Sequence, residues 1–243
     1  MNGFRLKFQT ILPFDIKYKK ITLGNFENAN SFRSFAPSNQ PMEDRIVKKA
    51  QELMFQTGVK RVTMDDLATQ LGISKKTIYQ YYKDKDSLVS AVVEKELNNH
   101  AHICNTSMVL AENAVHEIFL LMAVIQEMFN RMNPLALFEI EKYYPLAFEK
   151  IKTHKDDYIY SMISANLEKG INEGLYRKEI DVNILSKYRL ETSLIPFNIH
   201  VFPPNKFDLL KVNLQIIEHF VYGVATLEGH KLMDKYKSET LSK

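Results

Sequence analysis

The sequence predicts an all-α protein, on three observations. Gly and Pro number only eight each in 243 residues, too few for the tight turns of an all-β fold. Leu, Ile, Lys and Glu recur over long stretches without a breaker. From Met42 onward, apolar residues return at three- and four-residue steps, the period of a half-buried helix.

The elements follow in order. A first helix runs from about Glu43 to Thr57, with Ile46, Val47, Ala50, Leu53 and Met54 on one face, and Gly58 stops it. Thr63 precedes a second helix and has Asp66 three residues on, the pattern of a capping box. Leu67, Ala68 and Leu71 give that helix its apolar face, and Gly72 closes it. Ser74 caps a short third helix whose inward side is Ile78 and Tyr82. Asp84 caps a long fourth helix with Leu88, Val92 and Leu97 inward. Little more than Gly72-Ile73 separates the second and third helices, the tight joint of a helix-turn-helix.

After residue 103 the pattern is helical throughout. Helices are expected at 111–132, 134–143, 145–174, 181–196 and 207–228, with a short tail helix after Gly229. Pro134, Pro145 and the stretch from Phe202 to Asn205 are the breaks.

Residues 1–41 differ from the rest. They hold six basic residues against Asp15 and Glu27, six of the fifteen Phe at no regular spacing, and a breaker-rich end, FAPSNQP. A mis-assigned start with Met42 as initiator, a disordered basic arm and a small docked element all fit. The division expected is therefore 1–41 extension, 42–102 helix-turn-helix domain and 103–243 helical domain. The net charge of +3 resides in the extension, so an argument for an anionic partner has to be local.

Several classes are disfavoured. A single cysteine, Cys104, allows no internal disulfide and fits a cytoplasmic protein. The longest strongly apolar run, Ile118 to Ile125, is far short of the roughly 18–20 residues a membrane span needs. His100, His102 and Cys104 cluster, but positions two apart lie on different sides of a helix, so no metal site and no cofactor is expected. No nucleophile elbow, phosphate loop or His-Glu metal motif is present, so an enzyme is not expected.

The third helix carries the chemistry. It begins Ser74, Lys75, Lys76, Thr77, and a helix start exposes free N–H groups that attract phosphate. With Ile78 inward, Lys75, Lys76, Thr77, Tyr79 and Gln80 project outward or sideways as donors and acceptors for base edges and phosphates. Lys85 starts the next helix, where it could clamp the flanking backbone. Each residue taken singly fits an ordinary solvated helix. The capping box, the glycine turn and the basic helix start in one register fit a nucleic-acid reader.

The span from Glu43 to about His102 resembles the DNA-binding domain of the tetracycline-repressor (TetR) family, in RIVKKAQELMFQTGVKRVTMDDLATQLGISKKTIYQYYKDKDSLVSAVV. NEGLYRKEIDVNIL and GVATLEGHKLMDKY also resemble that family, less specifically. The resemblance implies DNA-binding roles for Thr63, Ser74, Lys75, Lys76, Thr77, Tyr79, Gln80, Tyr81 and Lys85. Thr63 matches the cap of the helix that crosses the DNA backbone, Tyr79 and Lys85 match backbone-contacting positions, and Gln80 and Tyr81 fall at reading positions. Lys76 stands where many relatives carry Gly.

The resemblance further implies a C-terminal ligand-binding and dimerisation domain. The 207–228 helix supports a homodimer on its own residues. Leu210, Leu214, Ile217, Val221 and Val224 form one stripe, and Leu209, Val212, Ile216 and Phe220 a second, so both sides need cover. Phe119, Met122, Phe129, Phe138, Tyr143, Tyr144, Tyr158 and Met162 suit either a pocket for a hydrophobic small-molecule effector or a plain core. The function expected is a ligand-responsive, sequence-specific regulator, a repressor released from a palindromic operator. The alternatives are a constitutive DNA-binding regulator without a ligand, and a helical enzyme with a vestigial reading head.

Overall fold

A computed structural model describes residues 41–133 and 135–241. The extension, apart from Pro41, and the expected break at Pro134 lie outside the described residues. Within them the chain is all-α.

Four helices open it: α1 (Met42–Thr57), α2 (Met64–Leu71), α3 (Lys75–Tyr81) and α4 (Lys85–Leu110). The expected caps form. Thr63 and Asp66 make a reciprocal capping box on α2, Ser74 accepts from the Thr77 amide, and Asp84 accepts from the Ser87 amide. Gly72 takes the left-handed conformation (φ 64°), which a side chain would resist, and so turns α2 into α3. The Ile73 amide donates back to the Ala68 carbonyl across this turn. Ile46, Ala50, Leu67, Ile78 and Leu88 are buried in one cluster, and each of the Ile and Leu side chains is worth about 1.5–3 kcal/mol. A seven-residue helix such as α3 is not stable alone, so this burial, with its cap, is what holds it in place.

α4 continues eight residues beyond position 102 without a break, so the two expected domains share a helix. α5 (Ala114–Arg131), α6 (Ala136–Tyr143) and α7 (Pro145–His154) follow. α7 lies along α4, with Lys150 paired to Glu94. Ala136 and Ile140 of α6, with Tyr144 and Ala147, belong to the same buried cluster as the first three helices. The core of the head is therefore closed by helices from the other half of the chain.

The expected 145–174 helix is interrupted. A wider π turn (Lys155–Ile159) separates α7 from α8 (Tyr160–Asn172) and shifts the face that each presents. α9 (Val182–Leu194) ends in a short 3-10 turn, Ile195–Phe197, around Pro196. The expected 207–228 helix ends early, as α10 (Leu209–Val224), and the tail helix expected after Gly229 starts before that glycine and is not short, α11 (Leu227–Leu241).

The break at Ala225 has a long-range cause. Ala225 bridges Tyr176 in the loop after α8, the Arg177 amide donates to Val224 O at 2.8 Å, and the Thr226 amide to Leu175 O at 2.9 Å. Backbone groups that would have continued the helix are satisfied across the chain instead. The segments NEGLYRKEIDVNIL and GVATLEGHKLMDKY thus meet each other. The Tyr176 side chain is buried against Gly170 of α8, and its hydroxyl donates to Ala114 O (3.3 Å) and Asn166 Oδ1 (3.2 Å). A Cβ at Gly170 would lie 2.0 Å from the Tyr176 ring.

Gly170→Ala should therefore force the Tyr176 ring out of its seat and cost roughly 1–3 kcal/mol, the usual penalty of overpacking. Urea unfolding followed by circular dichroism measures it. An unchanged midpoint would show that the seat can relax.

Candidate nucleic-acid interface

The structure splits the side chains of α3 cleanly. Ile78 is fully buried, and Tyr82, its C-cap, is 6% exposed. The Tyr82 hydroxyl donates to Glu43 of α1 at 3.4 Å, and burial, reinforced by that carboxylate, raises its pKa to about 12. Tyr79 and Tyr81 are each 45% exposed. Lys75, Lys76 and Gln80 are exposed too, and Thr77 is half-buried beside the Ser74 cap, with 2.8 Å between their hydroxyls. The three tyrosines therefore divide one inward and two outward.

The charged groups are not equally free. Lys75 pairs with Asp65 of α2 at 2.8 Å, and hydrogen bonding to that carboxylate raises its pKa. Both groups are solvated, and an anion can displace such a pair. Lys76 makes no ion pair among the described residues. Thr63 and Ser74 spend their oxygens on caps: Thr63 Oγ1 donates to Asp66 Oδ2 at 2.7 Å and accepts from the Asp66 amide at 3.1 Å. The hydroxyl's bond, with one from the Thr63 backbone amide, holds the Asp66 carboxyl below its ordinary range. Two solvated carboxylates, Asp65 and Asp66, thus sit beside the lysines at the foot of α2.

Lys85 sits differently from its neighbours. Its Nζ donates to the Lys60 carbonyl at 2.9 Å and lies 5.4 Å from the Tyr144 ring centroid. Burial lowers its pKa, opposed by Glu139 and Asp66. To reach a phosphate this ammonium has to leave the loop that it braces. The Glu139 carboxylate of α6 accepts the Lys60 amide at 2.9 Å. These long-range contacts left no trace in the local pattern.

In the other half, the aromatic and Met residues considered as a pocket do not gather. Phe119 belongs to one buried cluster and Tyr144 to the other; Tyr143 is exposed; Phe129 stacks on Phe197 at 5.0 Å. Two open grooves, about 730 and 470 Å³, lie instead along the outer side of α9, one lined by Ile184, Tyr188 and Ile195, the other reaching Val201 and Ile216. Ile184, Tyr188 and Val201 are 65%, 51% and 51% exposed, an apolar face without cover among the described residues. On α10, Ile217, Val221 and Val224 face the core, as do Leu209 and Phe220, while Val212 and Ile216 are half-exposed and Ile216 lines the second groove.

One half-buried cation escaped the sequence reading. Arg189, on the inward side of α9 beside fully buried Leu190, has an Nη1 sealed from solvent with no hydrogen-bond partner. Its guanidinium lies 5.9 Å from the Phe220 ring centroid, and no carboxylate pairs with it among the described residues. Burial lowers its pKa to about 10. A charge so placed is costly unless something compensates it.

The histidine cluster is a packing feature. α4 is regular through it, so His100 and Cys104 share a face while His102 is exposed elsewhere. His100 Nδ1 lies 3.3 Å from His154 Nε2 of α7, and its Nε2 lies 3.5 Å from Cys104 Sγ. Burial lowers the His100 pKa to about 4 and raises that of Cys104 to about 12. Among the described residues no group of three such side chains is arranged to hold a metal, and no helix is long and apolar enough to cross a membrane.

His100 makes stability pH-dependent. Its folded-state pKa lies below the unfolded value of 6.5, so the unfolded chain takes up the proton first as pH falls. Stability should drop between about pH 6.5 and 4, by up to roughly 3 kcal/mol from this group. Urea midpoints across that window should show the slope in the native protein and a flatter one in His100→Leu. Equal slopes would remove His100 as its source.

Comparison with known proteins places this geometry. Residues 46–92 match the model for bacterial regulatory proteins of the tetR family. YvaF, an HTH-type transcriptional regulator of Bacillus subtilis, is 50% identical over 54 residues, 22% of this chain and 28% of that protein. The match thus spans less than a third of that relative's length. A transcriptional regulator from Cytophaga hutchinsonii superposes with a TM-score of 0.63 at 18% identity, covering 77% of this chain and 100% of that one. One from Saccharomonospora viridis, in complex with choline, gives 0.61 at 13% identity, over 76% and 98%. At such identities the likeness is one of fold.

Proposed function

We propose, for a chain whose N-terminal domain belongs to the tetR family of bacterial regulatory proteins, that it regulates transcription by binding operator DNA as a homodimer and releasing it to a small acidic effector. The observation that carries the DNA reading is α3. It is locked to the core through Ile78 and Tyr82, while Lys75, Lys76, Tyr79, Gln80 and Tyr81 are all solvent-exposed. In this reading those five, with Thr77, enter the major groove, and Thr63, Ser74 and Lys85 meet flanking phosphates. Two exposed tyrosines on so short a helix favour a partner over plain solvation.

The dimer reading rests on the uncovered face of α9 and α10. A second copy laid on it would bury Ile184, Tyr188, Val201 and Ile216 under a two-fold axis. The two α3 helices would then meet successive major grooves roughly 34–36 Å apart, hence a palindromic operator. A repressor role follows if the effector prefers another spacing. A hundredfold preference, about 2.7 kcal/mol, suffices to empty most of the operator.

The effector reading rests on Arg189. A carboxylate attached to an apolar body would supply the missing counter-charge beside Phe220. The structural neighbour from Saccharomonospora viridis holds a cation, choline, so the proposed ligand differs from that one in charge.

Gel shift and fluorescence anisotropy against the DNA upstream of the gene test the first part. Wild type should prefer that duplex to bulk DNA, and Lys75→Ala and Lys76→Ala should each flatten the log–log salt dependence by about one unit. No preference at physiological salt would sink the regulator reading. For the effector, thermal melts with octanoate, decanoate and salicylate, against octanol as a neutral control, should show stabilisation by the acids alone. Arg189→Met should melt higher without ligand and lose the response. Equal shifts with octanol, or none with any acid, would remove Arg189 as anchor, and none would favour a constitutive binder.

A further inference from the structure

We propose that Lys60, Lys142 and Tyr143 form a second DNA-backbone contact, outside the helix-turn-helix and built in part from the regulatory half. It rests on the DNA reading given above. Lys60 lies in the loop between α1 and α2, three residues before Thr63, whereas Lys142 and Tyr143 end α6. The Lys60 Nζ lies 4.7 Å from the Tyr143 ring centroid, and the Lys142 Nζ lies 5.4 Å from the same centroid. Two ammonium groups therefore converge on one exposed phenol. Neither makes an ion pair with a carboxylate among the described residues.

That gathering needs an explanation. Like charges repel, and a ring face offsets only part of the repulsion. Glu139, the carboxylate that reaches this loop, is committed to the Lys60 amide. Glu141 precedes Lys142 by one position, about 100° round the helix. Hydrogen bonding to Lys142 first, and then interaction with Lys60, lowers the Tyr143 pKa. An anion set between the two lysines would relieve their repulsion, and the phenol would donate to it.

The position selects a duplex phosphate. The loop runs on through exposed Arg61 to Thr63, the cap of the helix proposed to cross the DNA backbone. On its other side Lys85, also proposed to meet phosphate, holds the Lys60 carbonyl and lies over Tyr144, the neighbour of Tyr143. Lys142, Tyr143, Lys60 and Arg61 thus continue the proposed phosphate row away from α3. DNA held there would touch α6 itself and sense the regulatory half directly.

The test is fluorescence anisotropy of the full-length protein on a mixed-sequence 40-base-pair duplex, over a range of salt. The sequence-independent term alone is read, so no operator is needed. The Lys60→Gln/Lys142→Gln double variant should flatten the log–log slope by about two units, and exposed Lys142→Gln alone by about one. Tyr143→Phe should keep the slope and weaken binding roughly two- to tenfold, the worth of one hydrogen bond. Circular dichroism melts establish that each variant is folded. If Lys76→Gln flattens the slope while Lys60→Gln/Lys142→Gln and Lys142→Gln leave it unchanged, this contact is wrong and the α3 reading survives. If Lys76→Gln also has no effect, or wild type does not bind, the α3 reading falls and this one with it.

Discussion

The structure turns on how one loop residue, Lys60, is held through both its amide N–H and its carbonyl. The Glu139 carboxylate accepts a hydrogen bond from its amide, and the Lys85 ammonium donates one to its carbonyl. Glu139 belongs to α6 and Lys85 starts α4, so the joint ties the head to the rest of the chain from two directions. A charged partner makes each of these bonds stronger than an ordinary amide pair. Beneath them, Ala136, Ile140, Tyr144 and Ala147 complete the apolar core around Ile46, Leu67, Ile78 and Leu88. A head of three short helices has too little interior to be well determined alone, and here α6 and α7 supply the missing wall.

The consequence is mechanical. α4 is one unbroken helix from the DNA side to position 110, with α7 along it, and α6 is pinned to the loop that leads into α2. A shift of α6 or α7 cannot leave the head where it was, because packed interfaces settle into discrete arrangements. In the reading proposed above, the joint is the element that would couple the head to the rest of the chain, in both directions.

What could be read from the sequence was local. The capping box at Thr63, the turn at Gly72, the caps at Ser74 and Asp84 and the inward Ile78 each depend on residues within four positions, and each stands as expected. What could not be read joins residues far apart. Lys60 and Glu139 are 79 positions apart, and nothing in either neighbourhood marks the other. The helix expected to run to 228 stops at Val224 because residues 175–177 claim its backbone groups. The π turn at Lys155–Ile159 adds one residue to a pattern that otherwise reads as a single helix. Nothing in the sequence around Arg189 marks it, and only the fold places its guanidinium beside Phe220 with Nη1 closed off from solvent. The candidate reading side chains were legible for the same local reason as their helix, whereas the paired state of Lys75 and the braced state of Lys85 were not.

The most direct measurement of the shared core is native-state hydrogen exchange with peptide resolution across a urea series. If α6 and α7 close the head, amides in 58–82 and in 136–151 lose protection together, with one free energy of opening and one denaturant dependence. A head that opens at clearly lower urea while 136–151 stays protected would contradict this, and would make the Lys60 joint an ornament on two independent units.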